Sequence, residues 1–303
     1  MIAIGQAVDH VEKGEALVRA RERAARIPDL LIEARRVVST VISGWHGRRK
    51  RGIGENFWQF RPYVDGEAFS RIDWRRSARD NHIYVRDREW EAAHTAWLWT
   101  DSSGSMLFKS RLAEVSKESR ALVLIFALAE LLSRSGERIG VPGLMDPTAA
   151  RNGAERLATA LALAQPAGGL PELAAVRRFS EIVIVSDFMA PVEDVRVLLT
   201  RIADRGARAH LIEVADPAEE NFPYAGRTEF RDPETGARLT AGRAEAFAEE
   251  YRRLFLARRE AIAGECRRFG WSFTVNRTDR PASEALMRLH FSMSAAAGEG
   301  RSR

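Results

Sequence analysis

The chain has 303 residues, 45% of them hydrophobic and 29% charged, enough to bury a core in one large domain or two modest ones. Its one cysteine, Cys266, excludes an intramolecular disulfide and a cysteine-based zinc site, and it suits a reducing compartment. The formal net charge of +5 is unevenly spread, because residues 35–79 hold 11 Lys/Arg against 4 Asp/Glu.

Residues 11–43 carry Ala, Leu, Arg and Glu at helical spacing, and Ile27-Pro28 predicts a break, with Pro28 opening a second helix. Residues 1–20 lack the basic start and unbroken apolar segment of a secretory signal. Next comes a Gly-punctuated, basic and aromatic stretch without helical period, whose later part, HIYVRDREWE, alternates like an exposed strand. From about residue 93 strands and helices alternate. HTAWLWTD is a strand, 106–134 a long helix, and 138–146 a short strand or hairpin arm. Helices follow at 154–165 and 171–179, a strand at 181–187, a helix at 192–206 and a strand at 207–217. A polar loop over 218–241 precedes a helix at 242–269, a strand at 271–278 and a helix at 281–294. The apolar run 121–132 is shorter than the ~20 residues of a membrane span and contains Glu130, so it reads as a buried helix. No membrane span and a cytoplasmic location are expected.

This alternation predicts an α/β fold, a mostly parallel sheet with helices on both faces. The expected divisions are a helical segment over 1–44, a basic aromatic element over 45–92, the α/β domain over 93–294 and a disordered tail over 295–303.

The most informative stretch is WLWTDSSGSM (97–106). A strand ends in Asp101, and Ser103 and Ser105 follow in a D-x-S-x-S pattern. Such a loop gathers oxygen ligands of the kind hard cations prefer. EIVIVSD ends a second strand in Asp187, and a parallel sheet brings both carboxyl ends to one edge, where sites form. The competing reading makes Asp101, Ser103 and Ser105 a helix cap, and Ser186-Asp187 the cap of the helix near Pro191. A hydrolase reading lacks its parts: an acidic nucleophile would want a second acid where Ser103 stands. A serine nucleophile would want a base, yet His82 and His94 precede the loop and His210 lies inside a strand. The basic segment 45–79, with its aromatics, could bind nucleic acid through phosphate contacts and stacking. Within it, RIDWRRSARD (71–80) has a density of Arg and Trp that suits a partner surface, with Arg71, Asp73, Trp74 and Arg75 as its candidates. Asp216-Pro217-Ala218-Glu219 reads as a capped turn.

GIGENFWQFRPYVDGEAFSRIDWRRSAR (52–79), WLWTDSSGSM, IVIVSDF (182–188) and the D-P-x-E and F-P-Y segments over 216–224 together resemble the domain of unknown function 58 family. That family is related to von Willebrand factor A domains and is often encoded beside MoxR-type AAA+ ATPases. The resemblance implies a von Willebrand factor A-like, Rossmann-like sheet and a metal-ion-dependent adhesion site. Asp101, Ser103, Ser105 and Asp187 would then hold Mg²⁺ or Mn²⁺, and an acidic carboxylate of a protein ligand would complete the coordination. The second-loop threonine of such sites has no clear counterpart: 151–161 occupies the region, but Thr159 falls inside a helical pattern. The implied function is a non-enzymatic, metal-assisted adaptor working with a MoxR-type AAA+ ATPase in a chaperone-like or complex-maturation role. Nucleic-acid binding through 45–79 and metal-dependent hydrolysis are the alternatives.

Overall fold

Ile27, Leu30, Ala34, Val38 and Val41 are all buried, one apolar stripe along helix α1 (Ala3–His46). The computed structural model describes residues 3–46, 59–64, 69, 72–79, 82–87, 94–164 and 169–299. The break expected at Ile27-Pro28 does not occur, and α1 runs through Pro28. An internal proline costs roughly 3 kcal/mol. The stripe on both sides of it offsets that cost, together with ion pairs from Arg23 and Arg26 to Glu118 at 2.9 Å.

The chain divides into two compact units, Gly44–Ala93 and Met1–Ser43 with His94–Arg303. In the small unit, β1 (Gln59–Pro62) and β2 (Tyr84–Asp87) pair antiparallel. The short helix α2 (Trp74–Ser77) lies between them in sequence, and the Asp73 carboxylate caps it by accepting from the Arg76 amide.

The large unit is built on β3 (Thr95–Thr100), β4 (Arg138–Val141), β5 (Met145–Thr148), β6 (Glu181–Ser186), β7 (Arg208–Ala215) and β10 (Ser272–Arg277). They form one sheet in the order β10-β7-β6-β3-β4-β5. Every pairing is parallel except that of the edge strand β5. Counted by appearance in the sheet this is 3-2-1-4-5-6, the doubly wound order. It is a Rossmann-like, mostly parallel arrangement with helices on both faces, as expected. The main helices are α3 (Lys117–Arg134), α4 (Gly153–Leu163), α5 (Val192–Asp204), α7 (Ala248–Arg268) and α8 (Ala282–Glu299). The central strand β6 shows why both faces are covered. Ile182 and Ile184 pack with Val195, Leu198 and Leu199 of α5 and with Ile262 and Cys266 of α7. Val183 and Val185 point to the opposite face, as strand alternation requires, and are equally buried. Among the described residues no helix is long and apolar enough to cross a membrane.

Several local expectations need correcting. The helix expected over 106–134 begins only at Lys117, where the Ser116 hydroxyl accepts from the Ser119 amide. Before it, Gly104–Leu107 is a single 3-10 turn. The segment 171–179 is turns rather than helix. Leu173 and Val176 enter the core from the two ends of one turn, closed by the Val176 amide donating to the Leu173 carbonyl, and Phe179, at φ 63°, donates its amide to the Gly206 carbonyl. The expected loop 218–241 holds the short helix α6 (Pro217–Asn221) and a hairpin of β8 (Thr228–Arg231) and β9 (Arg238–Ala241). Its tip, Asp232-Pro233-Glu234-Thr235-Gly236, places Gly236 at φ 72°, a conformation that glycine adopts without strain. At the carboxyl end α8 continues through the Ala-rich stretch to Glu299, beyond the helix end expected at 294.

Candidate functional site

The doubly wound order reverses between β3 and β6, and ligand crevices form beyond the carboxyl ends of strands at such a reversal. Asp101 follows β3 and Asp187 follows β6. The Asp101 amide donates to the Val185 carbonyl at 2.9 Å, which locks the two strand ends together. Ser186 donates to Asp101 Oδ2 at 2.8 Å, and the Ser103 amide donates to Asp101 Oδ1 at 2.8 Å. The Ser103 and Ser105 hydroxyls lie 3.1 Å apart, and the Ser105 side chain hydrogen-bonds Asp187. The sheet edge therefore does bring Asp101, Ser103, Ser105 and Asp187 together.

The capping alternatives are not what these side chains do. Ser103 makes no side-chain cap bond, and α3 starts 14 residues further on, at Lys117. Asp187 Oδ1 accepts from the Met189 amide and the Ser186 hydroxyl oxygen accepts from the Phe188 amide, within a tight turn ahead of α5. Phe188 sits in that turn at φ 49° with its ring in the core, a strained position for a bulky residue that costs roughly 1–3 kcal/mol. The strain aims Asp187 at the cleft rather than into the helix.

Sequence reasoning missed two residues of the site. Lys117, the first residue of α3, is 1% exposed. Its ammonium donates to Asp187 Oδ2 at 2.8 Å and to Glu219 Oε1 at 2.5 Å. Glu219 also accepts from the Asp216 amide through its second oxygen, completing a capping box on α6, so the D-P-x-E turn is a cap and a charge partner at once. The signal for Lys117 depends on the true helix start: a cation in the first turn of an apolar helix opposes the helix dipole and calls for a compensating anion, but a helix begun at 106 hides Lys117 in its interior.

Burial works against every charge in this cluster. It lifts the Asp101 carboxyl above its ordinary value despite hydrogen bonds from Ser103 and Ser186, and it lifts Glu219 despite Lys117. At Asp187 burial also pushes upward, but the Lys117 charge and hydrogen bonds from Lys117, Ser105 and Met189 outweigh it and hold the carboxyl below its usual range. Lys117 behaves in the same sense, with burial overcome by the charges of Asp187 and Glu219, so its ammonium is held above the ordinary lysine value.

These residues line a cleft of about 730 Å³ with an aromatic wall that includes Phe222, Tyr224, Phe230 and Tyr251. The β8–β9 hairpin closes one side of it. The Ser105 amide donates to Glu234 Oε1 at 2.8 Å. A Cβ on Gly104 would meet the Pro233 carbonyl oxygen at 2.7 Å, so only glycine lets the D-x-S-x-S loop approach the hairpin this closely.

A divalent ion does not fit the donor set as it stands. Mg²⁺ wants near-octahedral oxygen ligands. Asp187 and Glu219 are already committed to Lys117, and both Asp101 oxygens accept internal hydrogen bonds. A dication about 4 Å from the ammonium would also meet a repulsion of roughly 8 kcal/mol at an effective dielectric of ~20. Thr159 spends its hydroxyl on the Glu155 carbonyl inside α4. Among the described residues no three His, Cys, Asp or Glu side chains gather as metal ligands.

A catalytic serine is not assembled in the cleft either, since Ser103 and Ser105 face each other and, among the described residues, no histidine lines it. Ser272 and His210 Nδ1 do lie 2.7 Å apart, with Glu181 at 4.0 Å from Nε2, but they sit near the amino ends of β10, β7 and β6, across the sheet from the cleft.

In the small unit Asp73 is buried and spent on capping α2, whereas Trp74 is 62% exposed and Arg75 is exposed beside it. Arg71 and residues 47–58 lie outside the described residues.

Comparison with known proteins places this geometry among relatives. The family described as "Protein of unknown function DUF58" matches residues 59–261. Uncharacterized proteins of Mycobacterium tuberculosis (Rv1480) and Mycobacterium bovis (Mb1516) are each 30% identical over 278 residues, covering 85% of this chain and 85% of theirs. Among solved structures, the conserved hypothetical protein BatB from Bacteroides thetaiotaomicron is similar at 16% identity and a TM-score of 0.40. The similarity covers 67% of this chain and 100% of that one. An aerotolerance-related membrane protein from Bacteroides fragilis is similar at 15% identity, with the same TM-score and coverage. With its family signature spanning both units and its relatives aligned over most of their length, the chain belongs to the DUF58 family.

Proposed function

We propose that this protein is a non-enzymatic adaptor that binds a partner protein in the cleft at the carboxyl edge of its sheet. The partner we propose is a MoxR-type AAA+ ATPase, in a chaperone-like or complex-maturation role. The observation that carries the reading is the cleft itself. It is concave, aromatic on one wall and hydroxyl-rich at its floor, and it has no nucleophile paired with a base. Its size falls within the ~300–1,000 Å³ range of ligand pockets. The family resemblance supports the choice of an ATPase.

The charge of the lining favours one kind of partner group. Asp101, Asp187, Glu219, Asp232 and Glu234 face Lys117 and Arg231, a negative balance. A basic or neutral side chain seated against the aromatic wall suits that balance better than the acidic carboxylate a metal-bearing site would recruit. The same balance disfavours a phosphate backbone at this edge. Trp74 and Arg75 supply a second contact surface on the small unit, of the residue types enriched at interface hot spots.

The test is co-purification of the full chain with the MoxR-type ATPase of the same genome, followed by titration calorimetry. A saturable complex is expected, with no turnover of generic phosphoester or peptide substrates in the presence of Mn²⁺. Absence of a complex with that ATPase, or turnover abolished by Asp101→Ala, would reject the adaptor reading.

A further inference from the structure

An adhesion site of the von Willebrand type needs a cation to hold its carboxylates at the carboxyl edge, and here a cation is already covalently attached to the chain. We propose that Lys117 is a tethered counterion standing in for the divalent metal, so that the cleft is assembled, and recognises its partner, without Mg²⁺ or Mn²⁺.

Four observations carry this. The Lys117 ammonium is 1% exposed and reaches Asp187 at 2.8 Å and Glu219 at 2.5 Å, so the strand-end aspartate expected to hold a metal has its cation in hand. Glu219 belongs to the D-P-x-E turn after β7, and its other oxygen caps that turn, so the second anion is held rigidly. Ser116 caps α3 and fixes where its first residue, Lys117, projects. The remaining oxygens of the D-x-S-x-S loop are paired within the protein: Asp101 with the Ser103 amide and Ser186, Ser103 with Ser105, and Ser105 with Asp187.

The chemistry differs from that of a metal in one important respect. A divalent ion with an open coordination position recruits an anionic ligand by forming a bond to it. An ammonium shared between two carboxylates has no such position, and the cluster around it keeps a negative balance. Recognition at this edge then rests on hydrogen bonds, aromatic contact and charge complementarity, all preorganised before the partner arrives. The inference concerns the site and does not depend on which protein binds there.

The experiment uses the full chain alone, dialysed against chelator. Mn²⁺ binding is followed by water-proton relaxation, and thermal unfolding is recorded with EDTA or with millimolar Mg²⁺ or Mn²⁺. For the wild type, no relaxation enhancement and an unchanged melting temperature are expected. Lys117→Met, which leaves Asp187 and Glu219 without their cation, is expected to gain stabilisation by Mn²⁺. If that variant fails to fold, the relaxation measurement on the wild type still decides. Wild-type Mn²⁺ binding that Asp187→Asn abolishes would overturn the proposal. Because no partner is present, this outcome is separate from success or failure of the ATPase titration.

Discussion

At the carboxyl edge of the sheet, Lys117, Asp187 and Glu219 bury one positive and two negative charges within hydrogen-bond reach of one another. At the amino edge, Ser272 and His210 share one hydrogen bond of 2.7 Å, and Glu181 stands 4.0 Å from the other ring nitrogen. Both clusters look like chemistry when their residue types are tallied. Only the first lines a wide cleft where the strand order reverses, and it holds its charges in place with strained backbone, a capping box and a close glycine contact. The second resembles a catalytic triad in composition, but His210 is 2% exposed and its Nδ1 bonds Ser272 between neighbouring strands, away from any cleft the site uses. Position in the topology, more than residue type, separates a site from a buried polar contact.

That contrast can be broken or sharpened by substitution. The largest effect is expected for Lys117→Met. It strands two buried carboxylates and should cost about 3–5 kcal/mol in urea unfolding, with part of the loss recovered when Asp187→Asn is added. A loss below about 1 kcal/mol would mean that the cluster does not hold the edge together. Asp187→Asn alone leaves Lys117 with Glu219 and should cost less, about 1–3 kcal/mol.

The same variant sharpens the pH dependence. Asp187 is held below its unfolded value of 3.8, so its stabilisation is complete above that value and is lost as pH falls through the folded one. Lys117 is held above 10.5, so its stabilisation is complete below that value and is lost as pH rises through the folded one. Asp101 acts in the opposite sense to Asp187, because its raised value relieves the cost of burying its charge on acidification. Melting temperature against pH should therefore fall less steeply below pH 3.8 in Asp187→Asn than in the wild type; parallel acid limbs would contradict the role given to Asp187.

At the amino edge, Ser272→Ala removes one hydrogen bond and should cost only about 1 kcal/mol, leaving partner binding unchanged. Altered binding would implicate the amino edge in function. The smallest effect on stability belongs to Trp74→Ala, within about 0.5 kcal/mol because the ring is exposed. Its effect should appear in partner affinity instead, and an unaltered affinity would remove Trp74 from the interface.

The alternation of strands and helices made the sheet legible in the sequence, and apolar runs ending in Asp101 and Asp187 made the edge legible. The meeting of Lys117 with those residues was not, because it depends on where α3 begins. The apolar pattern alone let that helix start at 106, whereas Ser116 moves the start to 117 and turns the lysine inward. Glu219 was visible only as a cap, since one of its oxygens does cap. The β8–β9 hairpin read as loop because its strands are four residues long and largely exposed, leaving no hydrophobic pattern to detect. Pro28 misled in the other direction: a local breaker was overruled by packing along the rest of α1.

The most direct measurement of the central claim, that a partner is bound in the carboxyl-edge cleft, is the dissociation constant for the MoxR-type ATPase with wild type and with Glu234→Lys. Glu234 lies at an exposed hairpin tip on the rim of the cleft, so reversing its charge leaves the core untouched and removes one surface acceptor, that of the Ser105 amide. The account expects a melting temperature lowered by no more than about 2–4 °C, the cost of the lost Ser105 hydrogen bond, and binding weaker by about tenfold or more, equivalent to ~1.4 kcal/mol. Equal affinity for the two proteins would contradict it.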